Sequence, residues 1–203
     1  MLDASRIAAN LAHAREVVGD GVRVLAAVKY VPLEELGVLR EAGLTLLGEN
    51  RAQELQAKAN QFPDFEWHFI GQLQSRKVKT VVQYATLIHS VASESALKQL
   101  ETHAGDRTKI LIEVNVAGEE GKAGIAPGEL PRYLEASPVP VLGLMTMPPF
   151  TENPEDNRRH FAALKQLADE HGLKELSMGT SQDYAIAAAE GATIVRIGTS
   201  LYT

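Results

Sequence analysis

One lysine and two glycine-rich turns supply the residue types that could do chemistry in this chain. Lys29 ends the run Leu25-Ala26-Ala27-Val28-Lys29. Side chains alternate along a strand, so Lys29 shares a face with Ala27 and Leu25. Desolvation at the end of an apolar strand would favour the neutral amine, the form that attacks an aldehyde. The competing reading is a lysine that reaches past the strand into water, and the pattern alone does not separate the two. The turns are Ser177-Met178-Gly179-Thr180-Ser181 and Gly198-Thr199-Ser200. Glycine lets the backbone approach an anion closely, amide N–H groups and hydroxyls donate to it, and a following helix favours negative charge. One such turn is ordinary, but two that pair glycine with Ser or Thr point to a phosphate cradle. Arg196 has the parity of Ile194 and Gly198, so it points inward if Gly198 faces the anion. A buried guanidinium needs an acceptor. A phosphate, a pyridine nitrogen or the carboxylate of Glu113 would each serve.

These residues need a scaffold that brings the end of an early segment to the ends of two late ones. Eight β-like runs occur, at 22–29, 45–50, 66–71, 86–91, 109–116, 139–147, 174–179 and 193–198. Many are nearly continuous in Val, Ile and Leu, as strands of a parallel sheet covered by helices are. Helical stretches are expected at 3–18, 33–42, 51–61, 75–84, 93–102, 127–136, 153–171 and 182–190. Gly172 and Gly191 stop the last two. Regular alternation implies parallel strands with right-handed crossovers. Eight units predict a (β/α)8 TIM barrel over 1–203, one domain with an extra N-terminal helix and no helix after the last strand. An open doubly wound sheet is the alternative. A barrel puts its active site at the carboxyl ends of its strands and often binds phosphate after strands seven and eight. Asn50, His68, Gln72, Ser90 and Asn115 fall near other strand ends, where a lone polar group is more often a satisfied structural one.

Composition narrows the function. The 203 residues are 45% apolar and 23% charged, with a net charge of −6, which disfavours nucleic-acid and anionic-membrane partners. No cysteine is present, so disulfides, thiolate metal sites and a cysteine nucleophile are ruled out. The six histidines show no ligand spacing, and no metal is expected. Residues 1–6 lack the basic start of a secretory signal. The longest apolar stretch, 139–150, is too short to span a bilayer and is broken by Pro148 and Pro149. A cytoplasmic protein is expected.

Ordered blocks along nearly the whole chain resemble the YggS/PROSC family of pyridoxal phosphate homeostasis proteins, relatives of the alanine racemase N-terminal barrel. The blocks are Ala26–Lys29 with Pro32, Leu47–Asn50 with Gln53 and Glu54, Trp67–Gln74, and Ile88–Val91. They continue with Glu113–Val116 with Lys122 and Gly124, Gly143–Met145, Leu176–Gly179 with Ser181 and Asp183, and Val195–Thr199. The resemblance implies pyridoxal 5′-phosphate held as a Schiff base on Lys29. It implies that Ser181, Gly198 and Thr199 hold the phosphate and that Arg196 lies near the pyridine ring. Asn50, His68, Ser177 and Gly179 match positions around the cofactor. Arg76 and Ala92 depart from the family's usual Asn and Asp, and 200–203 lacks its usual Phe-Gly, but none of these touches the lysine.

The resemblance implies a carrier that binds, buffers or delivers the cofactor, and so affects amino-acid and keto-acid pools. It implies no established turnover, with pyridoxal phosphate-dependent apoenzymes as partners. A monomer is expected. The chemistry agrees, because an arginine at the ring nitrogen disfavours the protonation that makes the ring an electron sink. A racemase also needs a second acid/base on the opposite face of the substrate. In the racemases a further domain of a partner subunit supplies it, and no such domain is expected for this chain. Tyr30 and Tyr184 are the conceivable substitutes. A weak amino-acid racemase and a cofactor-free Schiff-base aldolase acting through Lys29 on a sugar phosphate are the alternatives.

Overall fold

Each apolar run pairs with its neighbour in the computed structural model, which describes residues 2–203. The strands are β1 (Arg23–Ala27), β2 (Leu46–Glu49), β3 (Glu66–Phe69), β4 (Leu87–Val91), β5 (Ile110–Glu113), β6 (Val141–Met145), β7 (Glu175–Thr180) and β8 (Ile194–Ile197). All pair in parallel and in chain order, and β8 closes on β1 with Arg23 opposite Ile194 and Ala26 opposite Ile197. The helices are α1 (Ala4–Val18), α2 (Leu36–Glu41), α3 (Ala52–Gln61), α4 (Val78–Tyr84), α5 (Glu94–His103), α6 (Leu130–Ala136), α7 (Arg158–Glu170), α8 (Tyr184–Ala189) and α9 (Thr199–Tyr202). The (β/α)8 barrel is therefore the fold, and the open-sheet alternative falls.

The alternation along each strand sorts side chains into two cores. Outward residues such as Val24, Leu47, Trp67, Phe69, Ile88 and Ile112 pack beneath the helices. Inward residues Leu25, Leu46, Leu87, Leu111, Met145 and Ile194 form a separate cluster inside the barrel. Fully burying one such side chain stabilises the fold by about 1.5–3 kcal/mol. Helix α1 buries Ile7, Leu11, Ala14 and Val18 on one face, and Asp3 caps it by accepting from the Arg6 N–H. Its Asn10 side chain donates to the carbonyls of Leu201 and Thr203, which ties α1 to α9.

Three expectations need correction. Most strands are shorter than the apolar runs that mark them, because the terminal residues of each run leave the ladder and curl into loops. Strand β1 ends at Ala27, so Lys29 lies in a turn at the rim and is exposed, not desolvated. The last strand is followed by a helix after all: Thr199–Tyr202 makes one turn that buries Leu201. Several helices also begin as a 3-10 turn, at Leu33–Glu35, Ser75–Lys77, Pro127–Glu129 and Pro154–Asn157.

Candidate functional site

The carboxyl ends of β1, β2, β7 and β8 converge on a cavity of about 270 Å3, small against the ~300–1,000 Å3 of most ligand sites. Lys29, Asn50, Ser181, Arg196, Gly198 and Thr199 line it together. Three further site residues named from the sequence do not: Ser177 and His68 are buried deeper in the barrel, and Gly179 sits behind the β7–α8 turn. Ala27, Ile70, Met147, Thr180 and Gln182 complete the lining, and sequence reasoning missed them. Ile70 has the inward parity of His68, which could have marked it. Met147 and Gln182 lie in loops, where no periodicity points inward.

The end of β1 is held from two sides. Tyr202 of α9 donates its hydroxyl proton to the Ala27 carbonyl at 3.1 Å, and burial holds that phenol protonated, well above the usual tyrosine range. Lys58 of α3 donates to the Val28 carbonyl at 2.8 Å and to Glu49 Oε1 at 2.5 Å. Both members of this ion pair are buried. The other Glu49 oxygen accepts from the backbone N–H of Asn50 at 2.7 Å. The carbonyls just before Lys29 are therefore fixed, while its side chain is free at the rim, with Nζ 4.6 Å from the centre of the Tyr30 ring.

Asn50 reaches the cavity because β2 and β3 approach closely where they end. A Cβ on Gly71 would lie 2.0 Å from the Asn50 carbonyl oxygen, so a glycine is required there. At the opposite wall Gly179 has φ +89°, and a Cβ on it would lie 2.5 Å from Ala187 Cβ of α8. Its glycine character shapes the turn that presents Ser181. Asp183 pins the same turn, accepting from the Thr180 N–H at 2.7 Å and from Asn157 at 2.9 Å. Ser181 Oγ accepts from the Gly198 N–H at 3.1 Å and links the two turns. A Cβ on Gly198 would meet nothing nearer than 3.7 Å, so its missing side chain leaves space that packing does not demand.

Arg196 is buried beneath this space. Its Nη1 donates to Ser177 Oγ at 2.6 Å, and its Nη2 donates to the Thr146 carbonyl at 2.9 Å and lies 2.8 Å from Met147 Sδ. Burial brings its pKa down to about 10, against the pull of Glu113 and Asp183. It stays charged at neutral pH. Among the described residues no carboxylate lies within ion-pair distance of it, so the alternative partner Glu113 acts only through space. Three of its five N–H donors are engaged. A buried cation with donors to spare, an amine at the rim and two hydroxyl-bearing turns suit a small anion that carries an aldehyde and a ring acceptor. Ser90 and Asn115 contribute nothing to this: Ser90 donates to the Gly71 carbonyl, and Asn115 bonds the Glu119 backbone.

Burial holds His68 and His89 below the usual histidine range, His89 well below it, and lowers His160 as well. The unfolded chain takes up these protons near pH 6.5, and the folded chain only at lower pH. Stability from these groups is fully present above about 6.5 and is lost as pH falls through that value towards the folded ones. Glu113, raised by burial, works in the opposite sense, one group against three. Denaturation midpoints measured between pH 7.5 and 5 are expected to fall steadily. A flat profile would contradict the buried neutral imidazoles.

The family model described as "Alanine racemase, N-terminal domain" matches residues 2–203. The pyridoxal phosphate homeostasis protein of Aquifex aeolicus is 43% identical, over 98% of this chain and 95% of its own. That of Deinococcus radiodurans is 38% identical over 89% of this chain and 88% of its own. PipY of Synechococcus elongatus, solved with pyridoxal phosphate bound, superposes with a TM-score of 0.85 at 34% identity. That match covers 97% of this chain and all of PipY. The alanine racemase of Corynebacterium glutamicum shares the fold alone, with a TM-score of 0.78 at 18% identity over 100% of this chain and 62% of its own. The chain thus belongs to the alanine racemase N-terminal domain family, among the pyridoxal phosphate homeostasis proteins.

Proposed function

We propose that this protein binds pyridoxal 5′-phosphate, holds it as a Schiff base on Lys29 and serves cofactor homeostasis as a carrier. The observation that carries the reading is the meeting of one amine, one buried guanidinium and two linked hydroxyl-bearing turns in a single small cavity. Lys29 would be the residue that holds the cofactor, through its aldehyde and with release of one water. Ser181 and Thr199 supply hydroxyl donors to the phosphate, and Gly198 leaves it room. Arg196, with donors to spare, would hold the ring nitrogen, and its positive charge would disfavour a proton there. That weakens the ring as an electron sink and suits storage over turnover. Among the described lining residues only Lys29 and Arg196 are ionisable, which supports a carrier over a racemase with its second acid/base. The protein acts as a monomer in the cytoplasm and hands the cofactor to pyridoxal phosphate-dependent apoenzymes. Lys29 at the exposed rim would let a recipient's amine reach the link.

Titration of the purified protein with pyridoxal 5′-phosphate tests this. A visible band is expected, with pyridoxal lacking the phosphate bound at least about tenfold more weakly, the effect of one charge-assisted contact. Thr199→Ala is expected to narrow that gap. A protein that stays colourless and takes up no cofactor would overturn the reading in favour of the sugar-phosphate aldolase.

A further inference from the structure

A line of polar groups runs through the barrel from the cavity to its opposite end. Arg196 Nη1 lies 2.6 Å from Ser177 Oγ, which lies 2.8 Å from His89 Nδ1. His89 Nε2 lies 2.9 Å from His68 Nδ1, and His68 Nε2 lies 2.9 Å from Glu66 Oε1. His68, His89 and Ser177 are buried, whereas Glu66, the first residue of β3, is partly exposed away from the cavity.

The hydrogens of this line can be placed by counting. Arginine only donates, so Ser177 Oγ accepts from Arg196, and its own proton needs an acceptor. The acceptor within reach is His89 Nδ1, which then carries no proton, so His89 is protonated on Nε2. That N–H requires His68 Nδ1 as acceptor, which puts the His68 proton on Nε2, facing the Glu66 carboxylate. Every bond therefore runs one way, from Arg196 to Glu66, with both rings neutral. The opposite order would leave the Ser177 hydroxyl proton without a partner in a buried site, which is costly. The low pKa values of both rings agree with this arrangement. Arg23, at 3.4 Å from both Glu66 and Glu175, holds the far end, and the charges of Glu113 and Arg196 face the line from β5 and β8.

We propose that His89 and His68 are positioning residues for Arg196, with the Ser177 hydroxyl at one end of the line and Glu66 at the other fixing the same tautomers, which turn the Ser177 lone pair towards the guanidinium. The tautomer claim stands on the geometry alone. Its use in cofactor binding rests on the reading above.

Nitrogen-15 NMR of the histidine-labelled protein without cofactor, at pH 7, tests the tautomers directly. Both rings are expected to be neutral and protonated on Nε2. Glu66→Ala alone is expected to leave His89 protonated on Nε2, because the Ser177 hydroxyl still needs Nδ1, whereas adding Ser177→Ala is expected to give mixed tautomers at both His68 and His89. A loss of packing would not do that. His89→Leu is expected to weaken pyridoxal 5′-phosphate uptake by about tenfold, as for loss of a hydrogen bond that orders a charged group, with the Lys29 link still forming at saturation. A cationic ring, a proton on His89 Nδ1, or tautomers unmoved when Ser177→Ala and Glu66→Ala are combined would overturn the proposal. So would unchanged uptake in a folded His89→Leu protein. If the wild type takes up no cofactor, the functional reading fails, and the NMR result alone decides the tautomer order. If His89→Leu does not fold, the spectra of the wild type and of the combined Ser177→Ala and Glu66→Ala variant still decide it.

Discussion

Lys29→Ala is expected to abolish the visible band of the loaded protein completely while leaving pyridoxal 5′-phosphate bound noncovalently. The amine and the phosphate donors belong to different parts of the barrel. Lys29 hangs from the turn after β1, whereas Ser181, Gly198 and Thr199 are built by β7, α8, β8 and α9. The two turns are held by Asp183, Asn157 and the Ser181–Gly198 bond, none of which involves Lys29. Because Lys29 is exposed, its truncation opens no cavity and should leave the thermal midpoint within the small range of surface substitutions. Spectroscopy reads the covalent link, and equilibrium dialysis reads the remaining affinity. Equal and complete loss of binding in Lys29→Ala and Thr199→Ala would contradict this division of labour.

Lys58→Met is expected to cost about 3–5 kcal/mol of folding stability, a large share of the 5–15 kcal/mol that holds a typical domain. The substitution removes the ammonium from a carboxylate with no access to water and leaves the Val28 carbonyl without its 2.8 Å donor. An exposed ion pair such as Arg40 with Asp64 should contribute little by comparison. Adding Glu49→Leu to Lys58→Met is expected to recover only part of the loss. It removes the buried charge but strands the Asn50 N–H that Glu49 accepts at 2.7 Å. Urea denaturation checks both variants. A cost below about 1 kcal/mol for Lys58→Met would show that the pair is not desolvated as described. Because Lys58 holds the carbonyl just before Lys29, a folded Lys58→Met protein should also form the covalent link more slowly.

The sequence was readable where burial leaves a periodic trace. β-like runs, many of them nearly continuous in Val, Ile and Leu, mark all eight strands, and a lysine closing the first of them stands out against its neighbours. Two linked features hid Lys29's exposure: the run Val22–Lys29 stays apolar to Val28, but the ladder ends at Ala27, and apolar character in a turn looks the same as in a strand. The helix after β8 escaped because four residues carry no measurable period. Polar groups inside the barrel were harder still. His89 lies within a mostly apolar run, and only the pairing of β3 with β4 and the closure of the barrel bring it between His68 and Ser177. Lys58 reads as one more charge on a helix of mixed composition, and its partner lies on another element, nine residues away. The two turns proposed to hold the phosphate stood out because both repeat one chemistry, glycine beside a hydroxyl, and the structure brings them together at one cavity. The role of Gly179 was not, since a turn that allows positive φ and a turn that touches a ligand call for the same residue.

One amine, that of Lys29 at the mouth of β1, is proposed to form the covalent link. Reduction of the loaded wild-type protein with borohydride, followed by proteolysis and mass spectrometry, measures this directly. A single pyridoxyl-phosphate adduct is expected, on Lys29. An adduct on any other lysine, or none on a protein that shows the visible band, would contradict it.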